Sequence, residues 1–342
     1  MYPEKELIGY FYDPNIHPYS EYKLRLLDVQ RSCDRLGIKL IEGEYDYEGW
    51  LKAVEGFENE PEKGKRCSIC FDNRLISTAK KAQQIGQKEI TTTLLTSPKK
   101  SIEQLRENAK EVEKRYKVTV LTPDFRKGGG TSEQFLMAKK DMLYHQNYCG
   151  CIFALSAQRE SQNRLKDELM SPVTKQILPA SIEDRIELYE SVCECEKEGV
   201  RFRLRREKFI NYRALMGFVK NSKKEIIPSH FLFYSKLSRG FTRGKIEYVE
   251  DGIGYFNRED VIFLSIEKLN ILAKTEYRDV RDLLKNPLRF EEEIRLRNLL
   301  SNSLLPTIFA IIIIDELKTE KYEIDLNSKV YEDVRENLVK IG

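Results

Sequence analysis

Six of the seven cysteines in this 342-residue sequence fall into close pairs: Cys67 with Cys70, Cys149 with Cys151, and Cys193 with Cys195. An odd count, with no basic and apolar leader over Met1 to Lys5, argues against a disulfide framework. The thiolate is the form that binds metals and does redox chemistry, and helix N-termini and nearby cations favour it. Cys67-Ser68-Ile69-Cys70 opens a predicted helix directly after Lys63, Lys65 and Arg66. Cys149-Gly150-Cys151 begins an apolar run read as a strand, where i and i+2 share a face. Four such thiols admit three chemistries: a zinc site with all-cysteine ligands, an iron–sulfur cluster, or a plain dithiol. Spacing alone leaves zinc the simplest. Cys193 and Cys195 lie in a helical pattern, where i and i+2 point apart. Cys33, amid Leu27, Val29 and Leu36, reads as a small buried hydrophobe.

A second candidate is Asp13-Pro14-Asn15-Ile16-His17-Pro18, a loop stiffened by two prolines directly after a predicted strand. Asp13 and His17 suit general acid or ligand roles, and a loop whose polar groups bond its own backbone is the plainer alternative. His145 precedes Cys149 by four residues and reads as a surface group. Thr91 to Pro98 places hydroxyls at a strand end, where they could hold a phosphate, although threonine is also a good strand former. Lys127-Gly128-Gly129-Gly130 has neither the dinucleotide nor the P-loop spacing.

The elements that must carry these groups alternate through the first half. Leu7–Tyr12, Ile38–Ile41, Ile90–Leu95, Lys117–Leu121 and Cys151–Leu155 read as short buried strands. Tyr19–Leu36, Ser68–Ile85, Ser101–Tyr116 and Ser132–His145 read as helices, and Ser101 with Gln104 suggests a capping box. The expectation is an α/β, Rossmann-like parallel sheet with flanking helices, its site beyond the carboxyl ends of the strands. A boundary near Pro179 separates this region, residues 1–178, from an α+β extension, 179–342. The extension contains a helical stretch, Val280 to Leu299, interrupted by Pro287, and the apolar run Ile308–Ile314 after Pro306. With 41% hydrophobic and 33% charged residues, the composition is that of a soluble globular chain rather than a disordered or membrane one, and a cytoplasmic location follows. The net charge of +3 conceals a basic block: Arg201 to Glu250 holds 13 Lys or Arg against 4 Asp or Glu. Such a block fits a polyanionic partner, and a solvated charged face is its plainer reading.

Tyr10 to Tyr22, Arg66 to Phe71, Thr91 to Pro98, Asp124-Phe125-Arg126 and Tyr148 to Phe153 occur in the order and spacing of one family. Over roughly the first 155 residues the sequence resembles the cobalamin-independent epoxyqueuosine reductases of the QueH type. The resemblance implies an oxidoreductase that reduces epoxyqueuosine to queuosine at the wobble position of tRNA. It further implies an iron–sulfur cluster, expected to be 4Fe-4S, an additional iron, no cobalamin, and an electron donor as partner. By matching position Cys67, Cys70, Cys149 and Cys151 would be the metal or redox thiols, with Asp13 and His17 in the loop beside them. The sequence departs from the family's pattern at its start, where the strand ending in a Cys-Cys dipeptide would stand. In the extension Arg201, Arg203, Arg205 and Arg206, interleaved with aromatic residues, are the expected tRNA contacts, since cations meet phosphates and aromatic faces stack unpaired bases. The competing reading is a zinc-stapled, non-enzymatic nucleic-acid-binding protein.

Overall fold

The computed structural model describes residues 5–97, 100–258, 261–301 and 309–341. The chain is mixed α/β and divides into two compact units: Met1–Met170 with Arg185–Leu204 and Leu338–Gly342, and Ser171–Asp184 with Arg205–Asn337.

In the first unit β1 (Ile8–Phe11) runs parallel to β2 (Lys39–Glu42), with Ile8 opposite Lys39 and Phe11 opposite Glu42. The crossover between them is α1 (Tyr19–Leu36), which stops at Gly37, a left-handed residue at φ 65°. A short α2 (Tyr47–Ala53) follows, its first turn capped by the Asp46 carboxylate accepting from the Gly49 N–H at 2.9 Å. Next, α3 (Lys65–Gln84) leads to β3 (Glu89–Ile90), and α4 (Ile102–Tyr116) leads to β4 (Thr119–Val120), again a parallel pair. Leu75, Ala79 and Ala82 on α3 and Leu105, Ala109 and Val112 on α4 recur at helical spacing. All but Leu105 share one buried cluster with Ile90, Val118 and Val120, where a fully buried Leu or Val contributes roughly 1.5–3 kcal/mol. Ser101 caps α4, its hydroxyl accepting from the Gln104 N–H at 3.2 Å, but the Gln104 amide turns away to donate to the Lys63 carbonyl, so the box is half made. Then come α5 (Gly130–Lys140), α6 (Ile152–Ser161) and α7 (Ile182–Lys197).

Several local expectations are corrected. The parallel strands form two separate pairs among the described residues rather than one five-stranded layer. Cys151–Leu155 is not a strand: Cys151 is the N-cap of α6, and a short apolar run cannot by itself tell a buried strand from a buried helix. The expected strand Ile90–Leu95 shortens to Glu89–Ile90, because the Thr92 hydroxyl accepts from the Leu94 N–H and starts a 3-10 turn over Thr93–Thr96. Lys117, at φ 50°, ends α4 and delays the next strand to Thr119. The helix expected to reach His145 ends at Lys140, and it buries none of its side chains. Pro98, Pro306 and Ile308 lie outside the described residues.

Apart from residues 202–204 and 338–340 of its two longest strands, an eight-stranded sheet lies within the second unit. Its strands are β5 (Phe202–Lys220), β6 (Ile226–Ile227), β7 (His230–Phe231), β8 (Phe241–Glu250), β9 (Ile253–Phe256), β10 (Val261–Ser265), β11 (Ala310–Ile314) and β12 (Lys321–Lys340). They lie in the order β6-β5-β12-β8-β9-β10-β11-β7. β11 is buried at every position, and its alternation divides it between two cores. Ala310, Ile312 and Ile314 pack with Val219, Ile246, Tyr322 and Ile324, whereas Ile311 and Ile313 pack against Leu269, Leu283 and Leu296. Those last three come from α8 (Ile266–Ala273), α9 (Val280–Lys285) and α10 (Phe290–Ser301), the latter two separated around Pro287 as the sequence predicts.

Candidate functional site

The loop after β1 and the turn Cys149-Gly150-Cys151 are fastened to each other. The His17 N–H donates to the Gly150 carbonyl at 2.9 Å, and the Tyr148 hydroxyl donates to the His17 carbonyl at 2.6 Å. Asn15 Nδ2 reaches the Cys149 carbonyl at 3.4 Å, and Ile16 is buried against Gly150. Gly150 has φ +99°, and a Cβ there would stand 2.7 Å from Ile16 Cγ1, so both the conformation and the space call for glycine. From below, α1 supplies a buried pair: Arg25 Nε donates to Glu21 Oε1 at 2.8 Å, and Arg25 Nη2 donates to the Tyr148 carbonyl at 2.9 Å. Removing one partner of such a pair strands a buried charge, at a cost of about 3–5 kcal/mol. The turn that carries two of the thiols is thus held from two distant segments.

The other two thiols come from the first turns of α3. Cys70, Cys149 and Cys151 pack in one cluster with Trp50, Val54, Ile69 and Phe153. Cys67 faces the adjoining cluster of Phe71, Leu94, Leu95 and Leu105, and its sulfur accepts from the Lys63 N–H at 3.3 Å. Two pairs some eighty residues apart in sequence therefore meet. Burial pushes the Cys70 thiol up to about 11, opposed by Arg74 one turn along α3 and reinforced by Cys149 and Cys67. Cys149 is drawn down, chiefly by its close neighbour Cys151 and against the effect of burial. Cys151 is raised in turn, by the neighbouring Cys149 and by burial. Arg74 also pairs with Asp13, so the first loop, α3 and the thiols share one charge network. His17 stacks on Tyr47, ring centroids 4.8 Å apart, and burial lowers its pKa.

Two groups escaped sequence reasoning. Trp50, on the unforeseen α2, is buried against Cys151 and Ala154, and its indole N–H, lacking a partner that completes a hydrogen bond, turns toward the Cys70 sulfur. A lone tryptophan in Tyr47-Glu48-Gly49-Trp50-Leu51 was the available signal, with Asp46 as the cap. Arg25 and Glu21 gave none, since charged residues on a helix ordinarily face solvent. His145 is exposed, Cys33 is buried beside Gly9, and Cys193 and Cys195 take different faces of α7, one half-buried and one buried. Thr91 and Thr96 spend their hydroxyls on the Leu121 and Thr93 carbonyls.

A thiol donor set suits a soft-metal or iron–sulfur centre, and the unpartnered Trp50 N–H beside Cys70 is the donor a ligating thiolate would accept. Among the described residues no three His, Cys, Asp or Glu side chains yet close around one ion. In the basic block Arg201, Arg203 and Arg205 are exposed at alternate positions, with Phe202 and Leu204 half-buried between them. Arg206 points the other way and pairs with Glu336 at 2.7 Å; Lys208 pairs with Glu332, and Lys224 and Arg243 with Glu323. Four of the block's 13 cations are therefore met by carboxylates of β12.

The α/β scaffold gathers four thiols, one buried and three half-buried, from two distant segments, the arrangement that thiol-centred redox or metal chemistry requires. The chain belongs to the epoxyqueuosine reductase QueH family. The family model described as "Epoxyqueuosine reductase QueH" matches residues 2–157. A protein of that name from Helicobacter pylori is 40% identical over 336 residues, 93% of this chain and 88% of the relative. Others of that name from Thermotoga maritima and Histophilus somni are 37% and 35% identical, over 44% and 47% of this chain and 80% and 68% of theirs. Among solved structures, an aminopeptidase from Aneurinibacillus sp. strain AM-1 aligns at a TM-score of 0.26 and 11% identity, covering 50% of this chain and 44% of that one, too slight a likeness to bear on the fold.

Proposed function

We propose that this chain is an oxidoreductase that reduces epoxyqueuosine in tRNA to queuosine. The observation that carries the reading is the meeting of Cys67 and Cys70 with Cys149 and Cys151 in a chain of this family. Loss of the epoxide oxygen as water leaves an alkene and consumes two electrons and two protons. Cys67, Cys70, Cys149 and Cys151 would hold an iron–sulfur cluster, 4Fe-4S in this reading, which with an additional iron and without cobalamin would supply single electrons drawn from an external donor and a Lewis acid for the oxygen. The chain's own residues exclude water and manage charge. Trp50 and Phe153 wall the thiols, Arg74 offsets the thiolates, and the loop groups Asp13 and His17 deliver the protons.

In this reading residues 1–178 form a Rossmann-like catalytic region, and 179–342 form an extension whose Arg201, Arg203, Arg205 and Arg206 meet the RNA. No helix among the described residues is long and apolar enough to cross a membrane, which is compatible with the cytoplasmic work of a tRNA-modifying enzyme. The test is anaerobic purification with metal analysis. Brown protein holding stoichiometric iron that is lost in Cys70→Ser and Cys149→Ser, together with reduction of epoxyqueuosine in tRNA, supports the reading. Colourless protein holding zinc and inert toward the modified tRNA would replace it with a zinc-stapled binding protein.

A further inference from the structure

A shallow, widely open recess of about 560 Å³ adjoins the thiol-bearing start of α3. Lys63, Lys100, Arg126 and Lys127 line it, with the first turn of α4 and the carboxylates of Glu103 and Asp124. Both carboxylates are engaged: Glu103 accepts from the Ser101 hydroxyl at 3.1 Å, and Asp124 accepts from the Arg126 backbone N–H at 3.2 Å. Arg126 is fixed by donating through Nη1 to the Ser97 and Lys100 carbonyls at 3.0 and 2.9 Å. By contrast, Lys63, Lys100 and Lys127 have no carboxylate partner among the described residues. Four cations against two carboxylates leave a net positive field, which an anion relieves.

The place of the recess narrows the anion. Lys63 both lines it and donates its N–H to the Cys67 sulfur, and the Lys100 ammonium lies within electrostatic reach of Cys149. Nearby, Lys127-Gly128-Gly129-Gly130 lacks the loop spacing that wraps a nucleotide's phosphates. An open, side-chain-lined hollow suits one phosphate of a ligand that continues along the surface. We propose that the recess binds a backbone phosphodiester of the RNA next to the nucleoside being reduced. The inference rests on the tRNA reading above and places one RNA contact beside the thiols, apart from the arginines of β5.

The experiment uses the full chain and an anticodon stem–loop RNA, with fluorescence anisotropy measured across a salt series. Lys63→Gln with Lys127→Gln changes two exposed side chains and should weaken binding about tenfold, while the magnitude of the slope of log K against log salt falls by about 0.7, the value for one single-strand phosphate. Lys39→Gln with Lys52→Gln removes the same charge from exposed positions elsewhere in this unit and should change affinity less than about twofold. Equal losses in the two double variants would reduce the recess to general charge and overturn the inference. So would unchanged RNA binding in the recess variant with loss of inorganic phosphate binding, which would assign the hollow to a small anion. Failure of the wild-type chain to bind the stem–loop at all would instead remove the tRNA reading itself.

Discussion

Substitution of Gly150 by alanine separates two costs that the thiol turn imposes. The first is conformational: an L-residue at φ +99° is strained by roughly 1–2 kcal/mol. The second is steric: the new Cβ would meet Ile16 Cγ1 at 2.7 Å, with Arg25 Nη1 and Asn15 Nδ2 each at 3.2 Å. Ile16 is 1% exposed and has little room to move, so overpacking adds about 1–3 kcal/mol. The sum, about 2–5 kcal/mol, is a large part of a typical domain's stability. Gly37→Ala is the comparator, since Gly37 also has a positive φ, +65°, but nothing within 4 Å of a new Cβ. It should show the conformational cost alone. The assay is urea unfolding followed by tryptophan emission, because the one tryptophan, Trp50, is buried against Cys151 and reports this unit directly. Gly150→Ala should lower the unfolding free energy by about 1–3 kcal/mol more than Gly37→Ala. Equal shifts in the two variants would refute the tight seat of the turn on Ile16, and no shift in either would refute the strained backbone too.

Two further outcomes are expected. Asp13→Asn and His17→Ala should each lower turnover by at least about 100-fold, as loss of a proton donor does, with the urea midpoint and RNA affinity nearly kept. Residual activity that merely tracks soluble yield would make the loop structural. Replacing Arg203, Arg205 and Arg206 together by alanine should weaken RNA binding and flatten its salt dependence without changing metal content. Among the single variants Arg206→Ala should weaken binding least, because Glu336 already meets its charge. A largest effect at Arg206, or unchanged binding in the triple variant, would place the RNA elsewhere.

Local pattern carried much of this molecule. The helical spacing of Leu75, Ala79 and Ala82 and of Leu105, Ala109 and Val112 marks α3 and α4, Ser101 marks where α4 begins, and Pro287 marks the break before α10. These signals are legible because they depend on neighbours within a turn or two of the same backbone. The thiol pairs could be named for the same reason: their chemistry is intrinsic to residue type and spacing. Their meeting could not be read off, since it depends on a loop after β1 and a turn at Gly150 that are more than a hundred residues apart in sequence. Nor could spacing tell whether Cys151 starts a strand or caps a helix; in the fold it caps α6, which buries Ala154 and Leu155. The basic block shows the same division. Composition established its charge, but pairing of β5 with β12 decided which cations are met by Glu332 and Glu336 and which, at Arg201, Arg203 and Arg205, stay exposed. Spacing determines which groups can form an element and which face they share, whereas charge pairing and sulfur proximity depend on contacts that only the folded backbone brings within a few ångströms.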